Sequence, residues 1–167
     1  GRSPATRQSV CRGPLPAKVE WQRGADDFLR QKYSRGHRWT FDDGASIAAS
    51  ASPHAVRAPW HVTAAVDPEE ALTAALASCH MLFFLSFASS AGFTVESYVD
   101  APEGTMARNE AGKEAMTEFT LRPLVTFKER APSEEEFVAM HHKAHEECYI
   151  ANSIRGVVRV EPVLRVV

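Results

Sequence analysis

The sequence has 167 residues, of which 44% are hydrophobic and 24% are charged, a balance typical of a globular chain and unlike that of a disordered one. A net charge of −2 gives no basis for nucleic-acid binding, which needs a clustered excess of lysine and arginine. Three cysteines, an odd and sparse set, do not suit a disulfide-stapled secreted protein. We therefore predict a reducing, cytoplasmic compartment.

The N-terminal segment GRSPATRQSVCRGPLP contains arginine and proline but no acidic residue and no apolar core. It does not resemble a secretory signal, so we predict a mobile tail over residues 1–16 that includes Cys11. No internal repeat or low-complexity linker divides the rest of the chain. Residues 17–167 are therefore predicted to form a single domain.

Short segments with some apolar alternation follow the tail, and glycines separate them, which is typical of antiparallel strands. They are AKVEWQ, DFLRQKYS, HRWTFD and ASIAAS.

A long helix is predicted next, because Asp67 can cap it, Pro68 suits its first position and Glu70 completes a capping box. Gly92 supplies the left-handed residue that ends it. The span is almost wholly apolar, so we expect burial on most sides, most easily by a second copy of the protein. Its polar residues and lack of basic flanks favour a buried helix over a membrane span.

Two long strands, FTVESYVDAPEGTMARN and EAMTEFTLRPLVTFKE, are predicted after this helix, with a turn at NEAGKE. Ser133 and Glu136 form a second capping box for a helix that runs to Cys148. The polar segment YIANSIRG and a final strand, VVRVEPVLRVV, follow. Strands, helix, two strands, helix and strand in this order predict an α+β domain.

Cys79 shares one stripe of the first helix with Leu76 and Phe83, and this stripe alone favours simple core packing. A nearby guanidinium would change that interpretation, because it favours the nucleophilic thiolate. Arg35 and Arg38 lie in a strand-like segment, where an inward arginine needs an anionic partner. Glu69 is a candidate for that partner through a bidentate pair.

His141, His145 and Cys148 share a face of the second helix at spacings that suit three ligands of a metal ion. Without a CxxC partner, satisfied or solvated histidines are the simpler interpretation, and we predict no metal. A hydrolase using Cys79 and His80 is disfavoured, because adjacent helical residues point about 100° apart.

The segments DPEEALTAALASCHM and CYIANSIRGVVRV each carry a cysteine motif. The two motifs resemble those of the OsmC/Ohr family, the osmotically induced protein C and organic hydroperoxide resistance proteins. DPEEALTAALASCHM is similar to the family's Asn/Asp-Pro-Glu helix start with a cysteine ten residues after the glutamate. CYIANSIRGVVRV is similar to its Cys-x-x-x-Asn-x-x-Arg segment, and FTVESYVDAPEG to its strand after the helix. The resemblance extends from about Ala17 to the C-terminus. It implies an OsmC-like fold with antiparallel sheets around long central helices, an intertwined homodimer and active sites at the subunit interface.

This resemblance also implies a thiol-dependent peroxidase that reduces organic hydroperoxides to alcohols in oxidative-stress defence, without a cofactor. Cys79 would be the peroxidatic cysteine and Cys148 the resolving one. Glu69 matches the family glutamate, and Arg38 fits the family arginine best, with Arg35 as the fallback. Electrons would come from an external dithiol such as a lipoylated protein.

An apolar wall for the alkyl or acyl chain of the substrate is expected from Phe83, Phe84, Tyr149 and Ile150, although core packing is the simpler explanation for the aromatics. Tyr149 stands where the family often has proline, which leaves the subgroup open. The alternative function is a non-enzymatic OsmC-like protein that binds a metal or senses oxidation through His141, His145 and Cys148.

Helix geometry gives one further expectation. Ten residues of helix place the Cα atoms of Glu69 and Cys79 about 15 Å apart. If the helix is continuous, the Glu69 nearest to Cys79 belongs to the other subunit.

Overall fold

The structure, a computed structural model, describes residues 13–167. Residues 13–16 are exposed and have no regular structure, whereas the rest of the predicted tail, with Cys11, lies outside the described residues. The chain divides into two compact units, one ending at Val66 and one spanning Asp67–Val167. The prediction of a single domain over residues 17–167 stays a prediction.

The first unit contains one antiparallel sheet in the order β1-β2-β3, which confirms three of the four short strands expected there. The strands are β1 (Ala17–Glu20), β2 (His37–Phe41) and β3 (Ser46–Ala49).

The strand predicted at DFLRQKYS is wrong, because this segment folds back on itself in turns with one isolated bridge between Asp27 and Lys32. Its aromatic residues pack locally, with the Phe28 and Tyr33 ring centroids 4.8 Å apart and Trp21 against both. The apolar residues that suggested a strand here therefore belong to a small aromatic cluster.

Both helices of the second unit begin as the sequence predicted. Helix α1 (Pro68–Ser90) starts with the full capping box of Asp67 and Glu70, and α2 (Glu134–Glu147) starts with that of Ser133 and Glu136. Gly92 follows α1 with φ +83°, which is the expected left-handed terminator.

The two long strands and the final strand are each divided in two. The second unit contains β4 (Val95–Asp100), β5 (Glu103–Arg108), β6 (Glu114–Leu121), β7 (Pro123–Phe127), β8 (Val157–Val160) and β9 (Val163–Val166). Pro102 and Pro162 lie in two of the breaks and offer no backbone donor to a ladder. At the third break, the Arg122 backbone N–H donates to the Asp100 carboxylate at 2.7 Å.

These strands form two three-stranded sheets, in the orders β4-β7-β9 and β5-β6-β8. The hairpin strands pair antiparallel, as expected, whereas β8 and β9 add to their sheets in parallel. The result is the mixed α+β arrangement predicted from the element order.

The helices and sheets of this unit enclose two hydrophobic clusters. The phenylalanine cluster contains Phe84, Ala88, Val125, Phe127, Phe137 and Ala144. The cysteine cluster contains Leu76, Ala77, Phe119, Leu121 and Cys148, with Cys79 packed against it.

One chain alone buries only part of α1, whereas the sequence predicted burial on most sides. A stripe with Ala75, Ser78, Leu82 and Ser86 is exposed, and 61% of Leu82 is accessible. By length and composition α1 could also cross a membrane, with mean hydropathy 1.8 over its most apolar window, one third of which is buried. An apolar helix with an open face of this kind needs a further partner surface.

Gly156, just before β8, has no room for a side chain. A Cβ there would lie 2.8 Å from the Met116 carbonyl oxygen and 2.8 Å from the buried Phe119 ring. We expect Gly156→Ala to lower the free energy of unfolding by about 1–3 kcal/mol, because neither neighbour can move freely. Urea denaturation measures the loss, and Val157→Ala, at a side chain 54% exposed, should change it by less.

Candidate thiol site

The two cysteines that the sequence singled out meet in the cysteine cluster. Cys79 lies on α1 and Cys148 is the C-cap residue of α2, so the packing of the two helices brings them together. Both are free thiols of one hydrophobic cluster, and they lie close enough for Cys79 to affect the pKa of Cys148. Cys79 is partly accessible, whereas Cys148 is fully buried. An incoming oxidant therefore meets Cys79 first.

The surroundings of Cys148 keep it protonated. Burial raises the pKa of Cys148 to about 11, the Ala151 backbone N–H lowers it in part, and the hydrogen bond and charge of Cys79 raise it further. The Ala151 nitrogen lies 3.4 Å from the Cys148 sulfur. At neutral pH Cys148 is consequently a thiol, and the more accessible Cys79 is the better-placed nucleophile.

Apolar side chains surround this pair. Phe83 and Ile150 pack against the cysteine cluster, and Tyr149 contacts the Phe83 ring edge-on, with centroids 5.1 Å apart. Phe84 lies elsewhere: it is fully buried in the phenylalanine cluster, and its ring stacks on His141 at 4.1 Å. Of the four residues expected to form a substrate wall, Phe83 and Ile150 thus pack against the cluster that contains the thiols, and Tyr149 packs on Phe83. Phe84 is a core residue.

The two candidate arginines both lie in the first unit, and they differ in how many contacts their guanidinium groups make. Arg35 donates to the Tyr33 carbonyl at 2.6 Å and the Gln31 carbonyl at 3.2 Å, and its guanidinium lies over the Tyr33 ring. Arg38 is exposed and makes one side-chain hydrogen bond, to the Ser46 hydroxyl at 2.9 Å. Arg38 therefore keeps more donors free for an anionic partner.

Glu69 lies in the first turn of α1, and its Oε2 is buried with no hydrogen-bond partner among residues 13–167. A buried carboxylate oxygen in this state requires a cation or a donor. Helix α1 is unbroken from Glu69 to Cys79, which meets the condition set for a Glu69 supplied by another subunit. That origin of Glu69 stays a prediction.

A buried histidine pair lies between the helices, which the sequence did not predict. His80 Nε2 and His141 Nδ1 are 2.9 Å apart, and the two residues are only 1% and 2% exposed. The ring of His141 is held between Phe84 and Phe137. No local pattern could indicate this contact, because it joins two helices across 61 positions of sequence.

Both members of the pair are neutral at neutral pH. Burial lowers the pKa of His80 to about 4, with a smaller effect from His145, and burial lowers the pKa of His141 to about 3, with a smaller effect from His80. The Nδ1 of His141 is the atom that faces His80. Within residues 13–167 no three His, Cys, Asp or Glu side chains form a metal-binding group. The alternative metal triad is therefore not assembled.

Comparison with known proteins places this arrangement in a family. The sequence profile described as OsmC-like protein matches residues 61–163, which is more than half of the chain. The chain belongs to the OsmC-like family. An OsmC-like protein of unknown function from Vibrio cholerae has 46% sequence identity and a TM-score of 0.88, over 90% of this chain and 99% of that one. This confirms the OsmC-like fold predicted from the two motifs.

More distant OsmC-like structures share the fold alone. The organic hydroperoxide resistance protein OsmC of Legionella pneumophila has 21% identity and a TM-score of 0.58, over 93% of this chain and 99% of that one. The organic hydroperoxide resistance protein OhrB of Bacillus subtilis also has 21% identity and a TM-score of 0.58, with 90% and 98% covered. A search of curated proteins gave no match.

Proposed function

We propose that this OsmC-like protein is a thiol-dependent peroxidase that reduces organic hydroperoxides to alcohols in oxidative-stress defence in the cytoplasm. The observation that supports it most directly is the contact of two free thiols, Cys79 and Cys148, within an apolar cluster. Such a pair can pass through a sulfenic acid to a disulfide without a metal or an organic cofactor.

In the first step the Cys79 thiolate attacks the peroxide oxygen farther from the alkyl group. The O–O bond breaks, the departing alkoxide takes up a proton to become the alcohol, and Cys79 is left as a sulfenic acid. The Cys148 thiol then attacks the Cys79 sulfur, which forms the disulfide and releases water. An external dithiol, of the lipoyl type, returns both cysteines to thiols by disulfide exchange.

Arg38 and Glu69 complete this proposal. Arg38 stabilises the Cys79 thiolate and the charge that develops on the departing oxygen. Glu69, whose Oε2 is buried without a partner among residues 13–167, holds the guanidinium in place. A second copy of the chain covers the exposed stripe of α1 in a homodimer and supplies the Glu69 nearest to Cys79.

Phe83, Tyr149 and Ile150 are the proposed wall for the organic part of the substrate. We expect the reduced protein to consume cumene hydroperoxide faster than hydrogen peroxide, by at least about tenfold, because only the former buries an aromatic group against apolar side chains. Stopped-flow kinetics with each peroxide in the presence of dihydrolipoamide measures the ratio. Equal rates would show that the wall does not bind substrate.

The deciding experiment for the function is the intact mass of the fully reduced protein after one equivalent of cumene hydroperoxide, with the product mapped by non-reducing digestion. A Cys79–Cys148 disulfide formed within seconds is the expected result. Free thiols that persist after long exposure would overturn the peroxidase proposal.

A further inference from the structure

We propose that Asn152 is a positioning residue for the resolving step: its side-chain amide holds the turn after α2 in the shape that points the Ala151 N–H at the Cys148 sulfur. This inference rests on the proposed peroxidase function and concerns the second half of its cycle. Asn152 itself touches neither sulfur in this role, and it acts through the turn.

The amide of Asn152 closes the C-terminal end of α2. Its Nδ2 donates to the Glu146 carbonyl at 2.9 Å and to the Cys148 carbonyl at 3.0 Å. The Asn152 backbone N–H donates to the same Cys148 carbonyl at 3.0 Å. Carbonyls in the last turn of a helix have no partner within the helix, so one side chain here satisfies two of them. The chain direction after Cys148 is thereby fixed.

The path of the chain after Cys148 determines which groups lie against the Cys148 sulfur. The short 3-10 turn Ala151–Ser153 brings the Ala151 nitrogen to 3.4 Å from the sulfur. An N–H aimed at a sulfur favours its thiolate form. The Cys148 sulfur is otherwise buried among apolar residues, which oppose the charge.

The redox state of Cys79 determines when the Ala151 N–H affects the ionisation of Cys148. In the reduced protein, the neighbouring Cys79 raises the pKa of Cys148 beyond the effect of burial. Oxidation of Cys79 to the sulfenic acid removes the negative charge from that sulfur. The Ala151 N–H, with a smaller effect from the Ile150 N–H, then favours the attacking form of Cys148, and the proton and the sulfenic oxygen leave together as water.

Asn152 is exposed, so its bonds are not imposed by burial and its replacement should leave the fold intact. In Asn152→Ala we expect disulfide formation to slow by about tenfold at neutral pH, the change expected for a rise of one pKa unit in the attacking thiol. The rate of sulfenic-acid formation should stay unchanged. Trapping with dimedone, followed by intact mass, should show accumulated Cys79 adduct and a disulfide pH profile moved to higher pH.

Ser153→Ala is the matched control, because the Ser153 hydroxyl donates to the Tyr149 carbonyl at 2.7 Å in the same turn without contacting the Asn152 amide. It should form the disulfide at the wild-type rate. Asn152→Asp keeps the shape but loses the donors, and it should behave like Asn152→Ala. A readout independent of turnover is the ultraviolet titration of the Cys148 thiolate in a Cys11→Ser/Cys79→Ser background, where Asn152→Ala should raise the pKa.

The outcomes separate the two proposals. A wild-type protein that forms no sulfenic acid would overturn both the peroxidase function and the role of Asn152. Normal sulfenic-acid formation, with disulfide formation equally fast in Asn152→Ala and the wild type, would remove only the role of Asn152. Equal slowing in Ser153→Ala would also overturn it, because the turn as a whole would then be responsible.

Discussion

Cys79→Ser is expected to abolish hydroperoxide reduction, with a loss of at least about a thousandfold in the rate of peroxide consumption. Serine keeps the approximate size of the side chain, but its hydroxyl does not ionise near neutral pH and is a poor nucleophile towards an O–O bond. Cys148 is not expected to take its place, because it is fully buried and its pKa is raised to about 11. Peroxide consumption assayed with dihydrolipoamide measures the loss.

Cys148→Ser should stop the catalytic cycle at a later step than Cys79→Ser does. This variant should consume about one equivalent of hydroperoxide and stop at the Cys79 sulfenic acid, since the resolving thiol is absent. Excess peroxide should then convert Cys79 to the sulfinic acid, which intact mass detects as a second added oxygen. Cys11→Ser is the control that removes the third cysteine, and it should retain full activity. Turnover by Cys79→Ser would contradict the assignment of the nucleophile.

The helices could be predicted from the sequence because their signals are local. A cap residue and its partner three positions later define the start of each helix, and both capping boxes form as expected, at Asp67 with Glu70 and at Ser133 with Glu136. Strand breaks were less visible. Pro102 and Pro162 were available as signals, and so was Pro123 beside the break at Arg122. The hydrogen bond at that break, from the Arg122 N–H to the Asp100 carboxylate, joins residues far apart in the sequence.

The contact between the two thiols could not be derived from the sequence in this way. Its expectation came from the family resemblance, since no periodicity links a residue within α1 to the last residue of α2. The same limit explains why the His80–His141 pair was missed, and why Phe84 was expected at the substrate wall when it stacks on His141. Asn152 was visible in the motif, but its role depends on which carbonyls the turn presents to it.

The buried histidine pair should make the protein sensitive to acid. Because the pKa values of His80 and His141 are lowered in the fold, the unfolded chain binds more protons than the folded chain below about pH 6.5. The stability from neutral burial is thus fully present above this pH and is lost as the pH falls towards about 4. The lowering at His80 alone corresponds to about 3 kcal/mol.

Within residues 13–167, neither histidine ring has a hydrogen-bond partner beyond the other member of the pair. Phe84 and Phe137 enclose His141, and the titratable neighbours are His145 and Tyr98. Burial raises the pKa of Tyr98, so its hydroxyl stays uncharged. His80 Nδ1 and His141 Nε2 are buried without acceptors among residues 13–167, so an added proton would have no hydrogen bond to make.

Urea denaturation at a series of pH values between 7.5 and 4.5 tests this directly. The wild type should lose stability steeply below about pH 6.5, and the double variant His80→Gln/His141→Gln should show a flatter curve, whatever its stability at neutral pH. His142→Gln is the control, because His142 is exposed and its contact is the Glu146 carboxylate at 3.0 Å; the steep loss should persist in it. An equally steep loss in the double variant would assign the acid sensitivity to groups other than this histidine pair.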